Sequence, residues 1–155
     1  MTIKRVSKAE ARRLSAYWPL RRQYLKDHPL CQITLAAARL QEEVMVEAWK
    51  KAGSPEIGIT VDVGHGNFVL LEPATTIHHR NKSNSTRRNR TEYWMSAAPG
   101  PHRGTEDHKD TAREIGILCP INARPDGSLP DGRRCLTTAE LINHRCTGGN
   151  RTTYP

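Results

Sequence analysis

The sequence is poor in the features that mark several large classes of protein. It has no long apolar run, which argues against a signal peptide and against a membrane-spanning helix. Its four cysteines form no CxxC pair, so we expect free thiols in a reducing cytoplasm. Aromatic residues make up only 5% of the 155 residues. These scarcities together predict one compact domain with a lean core and loose ends.

Positive charge is what the sequence has in excess. Lys and Arg number 24 against 16 Asp and Glu, which gives a net charge of +8. The basic residues concentrate at 1–27 and 80–92, whereas 40–75 carries more acid than base. Such clustering is typical of chains that bind a polyanion, although an exposed loop without a partner has the same pattern.

The spacing of apolar residues predicts three helices and two groups of strands. Helices are expected over about 8–26 with a bend at Pro19, over about 32–52, and over 138–144. Two β-branched runs flank 64–67 and predict a hairpin with a solvated His65 in its turn. Shorter strands are expected at 74–79 and 93–97. Trp18, Trp94 and Met95 are assigned to the core rather than to base stacking.

Two adjacent histidines, His78 and His79, end the strand predicted at 74–79. A further helix is expected over 102–115, where His102 and Glu106 are four residues apart and therefore about 40° apart on one helix face. A hydrolase that uses one metal ion needs ligands of this kind and a base that activates water. Side chains alternate along a strand, so the two histidines are expected to have different roles. The plain alternative is a pair of surface histidines.

These residues resemble a known family. "IHHRNK" (77–82), His102, Glu106 and "AREIGIL" (112–118), with the upstream "RRQYLKDHPLCQ" (21–32), are similar to the HNH endonucleases of the ββα-metal fold, above all their small phage and prophage members. The resemblance covers roughly residues 20–118. The two CxxC pairs that hold a structural zinc in many members are missing here.

The resemblance implies a role for each matching residue. His78 and His102 match metal ligands, His79 matches the general base, and Glu106 occupies the place of the family's last histidine. A carboxylate at that place favours Mg²⁺ or Mn²⁺ over Zn²⁺, which is the third candidate. Asn89 is the first choice for the residue that orients the base, followed by Asn81 and Asn84. The residues expected to contact DNA are Arg80, Lys82, Arg87, Arg88 and Arg90.

The fold expected from the resemblance is α+β. It has a ββα-metal core at 74–118 inside a nuclease domain of residues 1–118, which also holds N-terminal helices and an extra β-hairpin. Residues 119–155, rich in Pro, Gly and Arg, are expected to form a partly ordered, irregular C-terminal tail.

The function expected from the sequence is metal-dependent hydrolysis of phosphodiester bonds in double-stranded DNA. The helix at 8–26 and the loop at 80–92 would follow the DNA backbone. The chain would act in the bacterial cytoplasm, without a membrane partner and in the company of phage packaging or replication proteins. Two alternatives stay open: a nucleic-acid-binding accessory protein with a degenerate HNH fold, and a His/Glu cluster that is a purely structural metal site.

Overall fold

The computed structural model describes residues 8–80, 90–99, 119, 123–124 and 126–148. Its α-helices are α1 (Lys8–Asp27), α2 (Gln32–Ala38), α3 (Glu42–Lys51) and α4 (Thr138–Cys146). Its strands are β1 (Ile59–Gly64), β2 (Asn67–Leu71), β3 (Thr76–His79) and β4 (Trp94–Ala97), with a short 3₁₀ turn at Thr91–Tyr93. The described chain is therefore α+β. The expected helix at 102–115 lies outside these residues, so the complete ββα core stays a prediction.

Helix α1 covers the span predicted for it and includes Pro19. Tyr17, Tyr24 and Leu25 pack against Ile77 and Trp94, which places α1 on one face of the β3–β4 sheet. Trp18 was assigned to the core, and that assignment is wrong because its side chain is 53% exposed. Trp18 directly follows Tyr17, and consecutive side chains of an α-helix point about 100° apart, so Trp18 points away from the sheet that Tyr17 contacts.

The single helix predicted over 32–52 is two helices, α2 and α3. Arg39 adopts the left-handed conformation, with φ of 59° and ψ of 44°. Its N–H bonds to the Ala36 carbonyl, and the Leu40 N–H bonds to the Leu35 carbonyl, which is the Schellman pattern of a helix end. The apolar spacing continues across this break because both helices direct apolar side chains to the same cluster, which contains Leu35 and Leu71.

The predicted hairpin is confirmed as antiparallel strands β1 and β2. His65 and Gly66 form its turn, with φ of 54° and 74°, and His65 is exposed as expected. Positive φ at both turn residues matches the right-handed twist of the strands. Ile59, Val61 and Val69 face α3, where they join Met45 and Trp49 in one apolar cluster.

Strands β3 and β4 pair antiparallel, with His78 opposite Met95 and His79 opposite Trp94. All four residues of β4 are buried. Met95 and Ala97 pack into a cluster with Ile33 and other residues of α2 and α4, while Trp94 packs against α1. The sheet therefore lies between helices, and the two strands of the expected core are present.

A network of polar side chains joins the helices to β4. The Tyr24 hydroxyl lies 2.6 Å from Gln32 Oε1 and 2.5 Å from the Trp94 carbonyl oxygen, so its proton is shared between two acceptors. Gln32 Oε1 also accepts from the Ser96 N–H at 2.8 Å. The Gln32 amide in turn donates to Glu42 Oε1 at 3.0 Å. Burial, followed by the nearby Glu42 charge, raises the pKa of Tyr24, which keeps the phenol neutral.

The C-terminal part of the chain contributes to the same core. Leu141 and Ile142 of α4 pack with Cys31, Ile33 and Met95 in one apolar cluster. Helix α4, predicted at 138–144, begins with a capping box in which Thr137 and Glu140 bond each other's backbone N–H. Within the part of the chain that the structure describes, no helix has the length and apolarity to cross a membrane.

The Tyr24 hydroxyl makes a testable contribution to stability. We expect Tyr24→Phe to lower the free energy of unfolding by about 1 kcal/mol, because Gln32 and Trp94 each lose a hydrogen bond in the interior. Tyr17→Phe is the matched control, since its hydroxyl makes one longer contact of 3.4 Å and is half-buried. Urea unfolding measures both variants, and equal midpoints for the two would contradict the role given to Tyr24.

The ion pair at the start of α4 predicts a pH dependence. Arg134, which bonds both Glu140 oxygens at 2.9 and 2.8 Å, lowers the pKa of Glu140 to about 2. A depressed carboxyl pKa stabilises the fold above the ordinary value of 4.5, and this contribution is lost as the pH falls towards 2. Because both side chains are partly exposed, we expect Glu140→Gln to cost only about 0.5–1 kcal/mol at neutral pH.

The test is thermal unfolding of wild type and Glu140→Gln from neutral pH down to about pH 2. The difference in Tm should shrink below pH 4.5. In an Arg134→Ala background the same substitution should have little effect at any pH. A difference that persists unchanged at low pH would show that the Glu140 charge is not its source.

Candidate functional site

The two adjacent histidines end β3 and point to opposite faces of the β3–β4 sheet. His78 stands opposite Met95, on the face that α2 and α4 cover, and His79 stands opposite Trp94, on the face that α1 covers. Both rings are half-buried. The alternation expected of a strand therefore gives the two imidazoles different surroundings.

His79 lies among aromatic side chains. Its Nε2 atom is 3.4 Å from the Tyr17 hydroxyl, and the two ring centroids are 5.9 Å apart. The Trp94 ring meets it nearly at right angles, at 5.3 Å between centroids. Such contacts restrict the orientation of the imidazole, and the Tyr17 hydroxyl can donate to or accept from Nε2 according to the tautomer. An oriented, half-buried imidazole is suited to proton transfer.

His78 is the only one of the three predicted metal ligands that the structure describes. His102 and Glu106 lie outside the described residues, so the convergence of the three is a prediction. Among the residues that are described, no group of three or more His, Cys, Asp or Glu side chains is placed to hold a metal ion. His78 would therefore need ligands from other parts of the chain, as the sequence pattern requires.

Arg80 was predicted to contact DNA, and its position does not suit that role. Its side chain is fully buried. The guanidinium donates to Thr138 Oγ1 at 3.3 Å and lies 5.9 Å from the centre of the Tyr93 ring. Burial lowers the pKa of Arg80, while the thiols of Cys119 and Cys135 nearby act in the opposite direction. A buried arginine that joins β3 to α4 is a structural element of the core rather than a phosphate contact.

Of the other predicted DNA contacts, Arg90 alone is described. It is exposed and forms a 3.5 Å ion pair with Glu92, and its side chain is 47% exposed to solvent. Lys82, Arg87 and Arg88 lie outside the described residues. So does Asn89, the residue expected to orient the base, together with Asn81 and Asn84.

Helix α1 contributes residues that the sequence reading did not assign to the site. Tyr17 contacts His79, and the neighbouring Trp18 is exposed with the Arg21 guanidinium 5.9 Å from its ring centre. Arg21 also donates to the Thr75 carbonyl just before β3, at 3.0 Å. The signal available in the sequence was "YWPLRR" (17–22), where two aromatic residues are followed closely by two arginines, a combination found in nucleic-acid-binding segments.

Comparison of the chain with protein-family models, with curated proteins and with solved structures finds no match.

The burial of Arg80 and the exposure of Arg90 predict opposite outcomes for the same substitution. We expect Arg80→Ala to lower the free energy of unfolding by at least about 2 kcal/mol, because it opens a cavity and removes an interior hydrogen bond. Arg90→Ala should change it by less than about 0.5 kcal/mol. Guanidinium unfolding of both variants is the measurement. If Arg80→Ala has the same free energy of unfolding as wild type, the Arg80 guanidinium is not part of the core.

Proposed function

We propose that this chain is a metal-dependent DNA endonuclease of the HNH type. The observation that supports it best is the division of surroundings at the end of β3, where His78 and His79 lie on opposite faces of one two-stranded sheet. A water-activating base and a metal ligand must be different residues, because an imidazole nitrogen that binds the ion has no free lone pair to accept a proton. The residue pattern of the sequence supplies the rest of the motif.

In this proposal His79 is the general base. The neutral imidazole accepts a proton from a water molecule, and the resulting hydroxide attacks the phosphorus atom of the scissile phosphate. The bond to the 3′ oxygen then breaks. The Tyr17 hydroxyl lies 3.4 Å from Nε2, and the Trp94 ring packs nearly at right angles to the imidazole. These two contacts would keep the imidazole in one orientation while it accepts the proton. Asn89 is proposed to support the same orientation.

His78, His102 and Glu106 are proposed to hold one divalent ion, with Mg²⁺ or Mn²⁺ preferred and Zn²⁺ as the other candidate. Imidazole nitrogen and carboxylate oxygen are suitable donors for these ions. Bound there, the ion would offset the negative charge that develops on the phosphate and on the 3′ oxygen.

The DNA duplex is proposed to lie along the exposed face of α1 and the 80–92 loop. Trp18 and Arg21 present an aromatic ring and a cation on α1, the helix whose Tyr17 contacts His79, and Arg90 is exposed at the start of the 3₁₀ turn that precedes β4. Lys82, Arg87 and Arg88 would add phosphate contacts. Contacts to phosphate provide affinity with little sequence preference, and make binding weaker as salt increases.

Purified protein should cut supercoiled plasmid DNA in Mg²⁺ or Mn²⁺. His79→Ala should lower the cleavage rate by about 100-fold or more, because general-base catalysis contributes at least that much, while binding of a DNA duplex stays within about twofold. His65→Asn is the matched control: it also removes an imidazole, but from an exposed turn remote from the site, and asparagine tolerates the left-handed backbone there. Its cleavage rate should equal that of wild type.

Three results would point elsewhere. Duplex binding without cleavage under any divalent ion would favour the non-catalytic accessory protein. Equal activity of wild type and His79→Ala would remove the proposed base. Unfolding of the protein by EDTA, followed by circular dichroism, would favour a structural metal site.

A further inference from the structure

Two cysteines lie together beside the buried Arg80. Cys135 is fully buried in a cluster with Tyr93, Ala123 and Leu129, and the half-buried Cys119 packs against that cluster. Cys119 and Cys135 are joined by a side-chain hydrogen bond. They are 16 residues apart in sequence, from 119 to 135, yet both side chains pack in the same cluster. We call Cys119 and Cys135 the thiol pair.

The surroundings of the thiol pair favour a negative charge on sulfur. The hydrogen bond from Cys119 lowers the pKa of Cys135, burial opposes this, and the positive charges of Arg80 and Arg134 lower it further. The nearby Tyr93 hydroxyl is neutral, since burial raises its pKa. Thiol and disulfide exchange requires a thiolate, and cationic surroundings of this kind are where reactive cysteines are found.

We propose that Cys119 and Cys135 form a reversible disulfide site, oxidised by a low-molecular-weight disulfide such as glutathione disulfide. Two neighbouring thiols, one half-buried and one fully buried, supply the two positions that such a site needs: an accessible cysteine that reacts first and a partner that completes the bond. The site is separate from the proposed nuclease residues and does not depend on that function.

The exchange takes place in two steps. Cys119, the more accessible of the two, gives up its proton and attacks one sulfur of the oxidant, which forms a mixed disulfide and expels the other half as a thiolate. Cys135, after losing its proton, attacks the Cys119 sulfur, and the second half of the oxidant leaves as a thiolate. Both leaving thiolates take up the protons that the cysteines lost. The protein gives up two electrons and two protons, and the oxidant becomes two thiols.

The remaining cysteines, Cys31 and Cys146, have a different environment. Both belong to the apolar cluster around Ile33, and Cys31 is fully buried. Burial raises the pKa of Cys146, and the complete burial of Cys31 closes its sulfur off from an oxidant in solution. A protonated thiol in apolar surroundings reacts slowly. Cys31 and Cys146 therefore serve as an internal control for the thiol pair.

Oxidation of the thiol pair would act near the end of β3. The Cys119 N–H donates to the Arg80 carbonyl at 3.2 Å, and Arg80 directly follows His79. The Arg80 side chain lies next to both thiols. A disulfide would fix residue 119 to the 126–135 segment and leave no thiol beside the guanidinium that could ionise, so the bond would change the support of the strand that carries both histidines.

The experiment places the full-length protein in glutathione buffers of increasing oxidising ratio, then unfolds it in denaturant with iodoacetamide so that every free thiol is blocked, and maps the peptides by mass spectrometry. We expect a Cys119–Cys135 peptide lighter by two hydrogen atoms, reversed by dithiothreitol, with Cys31 and Cys146 alkylated throughout. The Cys31→Ser/Cys146→Ser double variant should oxidise with the same dependence on the buffer. In Cys119→Ser the internal disulfide should be lost.

Three outcomes would overturn the proposal: four alkylated cysteines in every buffer, a disulfide between Cys31 and Cys146, or a stable glutathione adduct on Cys119 that Cys135 never displaces. Circular dichroism shows whether Cys119→Ser is folded. Should it unfold, the peptide map of the wild-type protein decides by itself, because it identifies the linked cysteines directly.

Discussion

Strand β4 is buried along its length but, among the residues that the structure describes, pairs with β3 alone, and side chains bond the polar groups of its other edge. The Arg80 N–H bonds to the Tyr93 carbonyl and the Thr75 N–H to the Ala97 carbonyl, so the backbone of odd-numbered residues faces β3. The Trp94 carbonyl and the Ser96 N–H face away. A buried backbone group without a partner costs about 1–3 kcal/mol. Hydroxyl and amide groups from three helices take the place of a third strand here.

Each of those side chains also fixes the position of a helix. Tyr24 ties α1 to the Trp94 carbonyl, Gln32 ties α2 to the Ser96 N–H, and Thr138 at the start of α4 donates to the same Trp94 carbonyl at 2.6 Å. Arg80, which directly follows β3, donates a hydrogen bond to the hydroxyl of the same Thr138. Hydrogen bonding along one strand edge therefore determines where α1, α2 and α4 meet the sheet.

The candidate site inherits its geometry from this arrangement. Tyr24 holds α1 against the sheet, and Tyr17, two helical turns before it, therefore reaches His79. The exposed Trp18 and the neighbouring Arg21 lie on the same helix. On the opposite face His78 lies next to Met95 and the helices that Gln32 and Thr138 anchor. Arg80 lies between the site and the thiol pair. Its backbone continues from β3, and its guanidinium group lies next to the two thiols.

The sequence by itself determined what depends on neighbouring residues. The hairpin turn at His65–Gly66, the strands that end at His79 and Ala97, the extent of α1 and the helix after Thr137 all follow from turn chemistry, alternation and capping, which act over a few positions. The placement of two unlike histidines on opposite faces also follows from alternation alone.

Tertiary structure decided everything that depends on distant partners. Arg39 ends α2 in a left-handed conformation because Leu35 and Leu40 both pack in the core around Leu71, and no turn residue marks that place. Arg80 is buried because Thr138 and Tyr93, which are 58 and 13 positions away in the sequence, pack around it. The residues next to Arg80 do not indicate these contacts, so the sequence alone predicted an exposed charge. Burial is a sum over contacts from the whole fold, and neither spacing nor composition contains that sum.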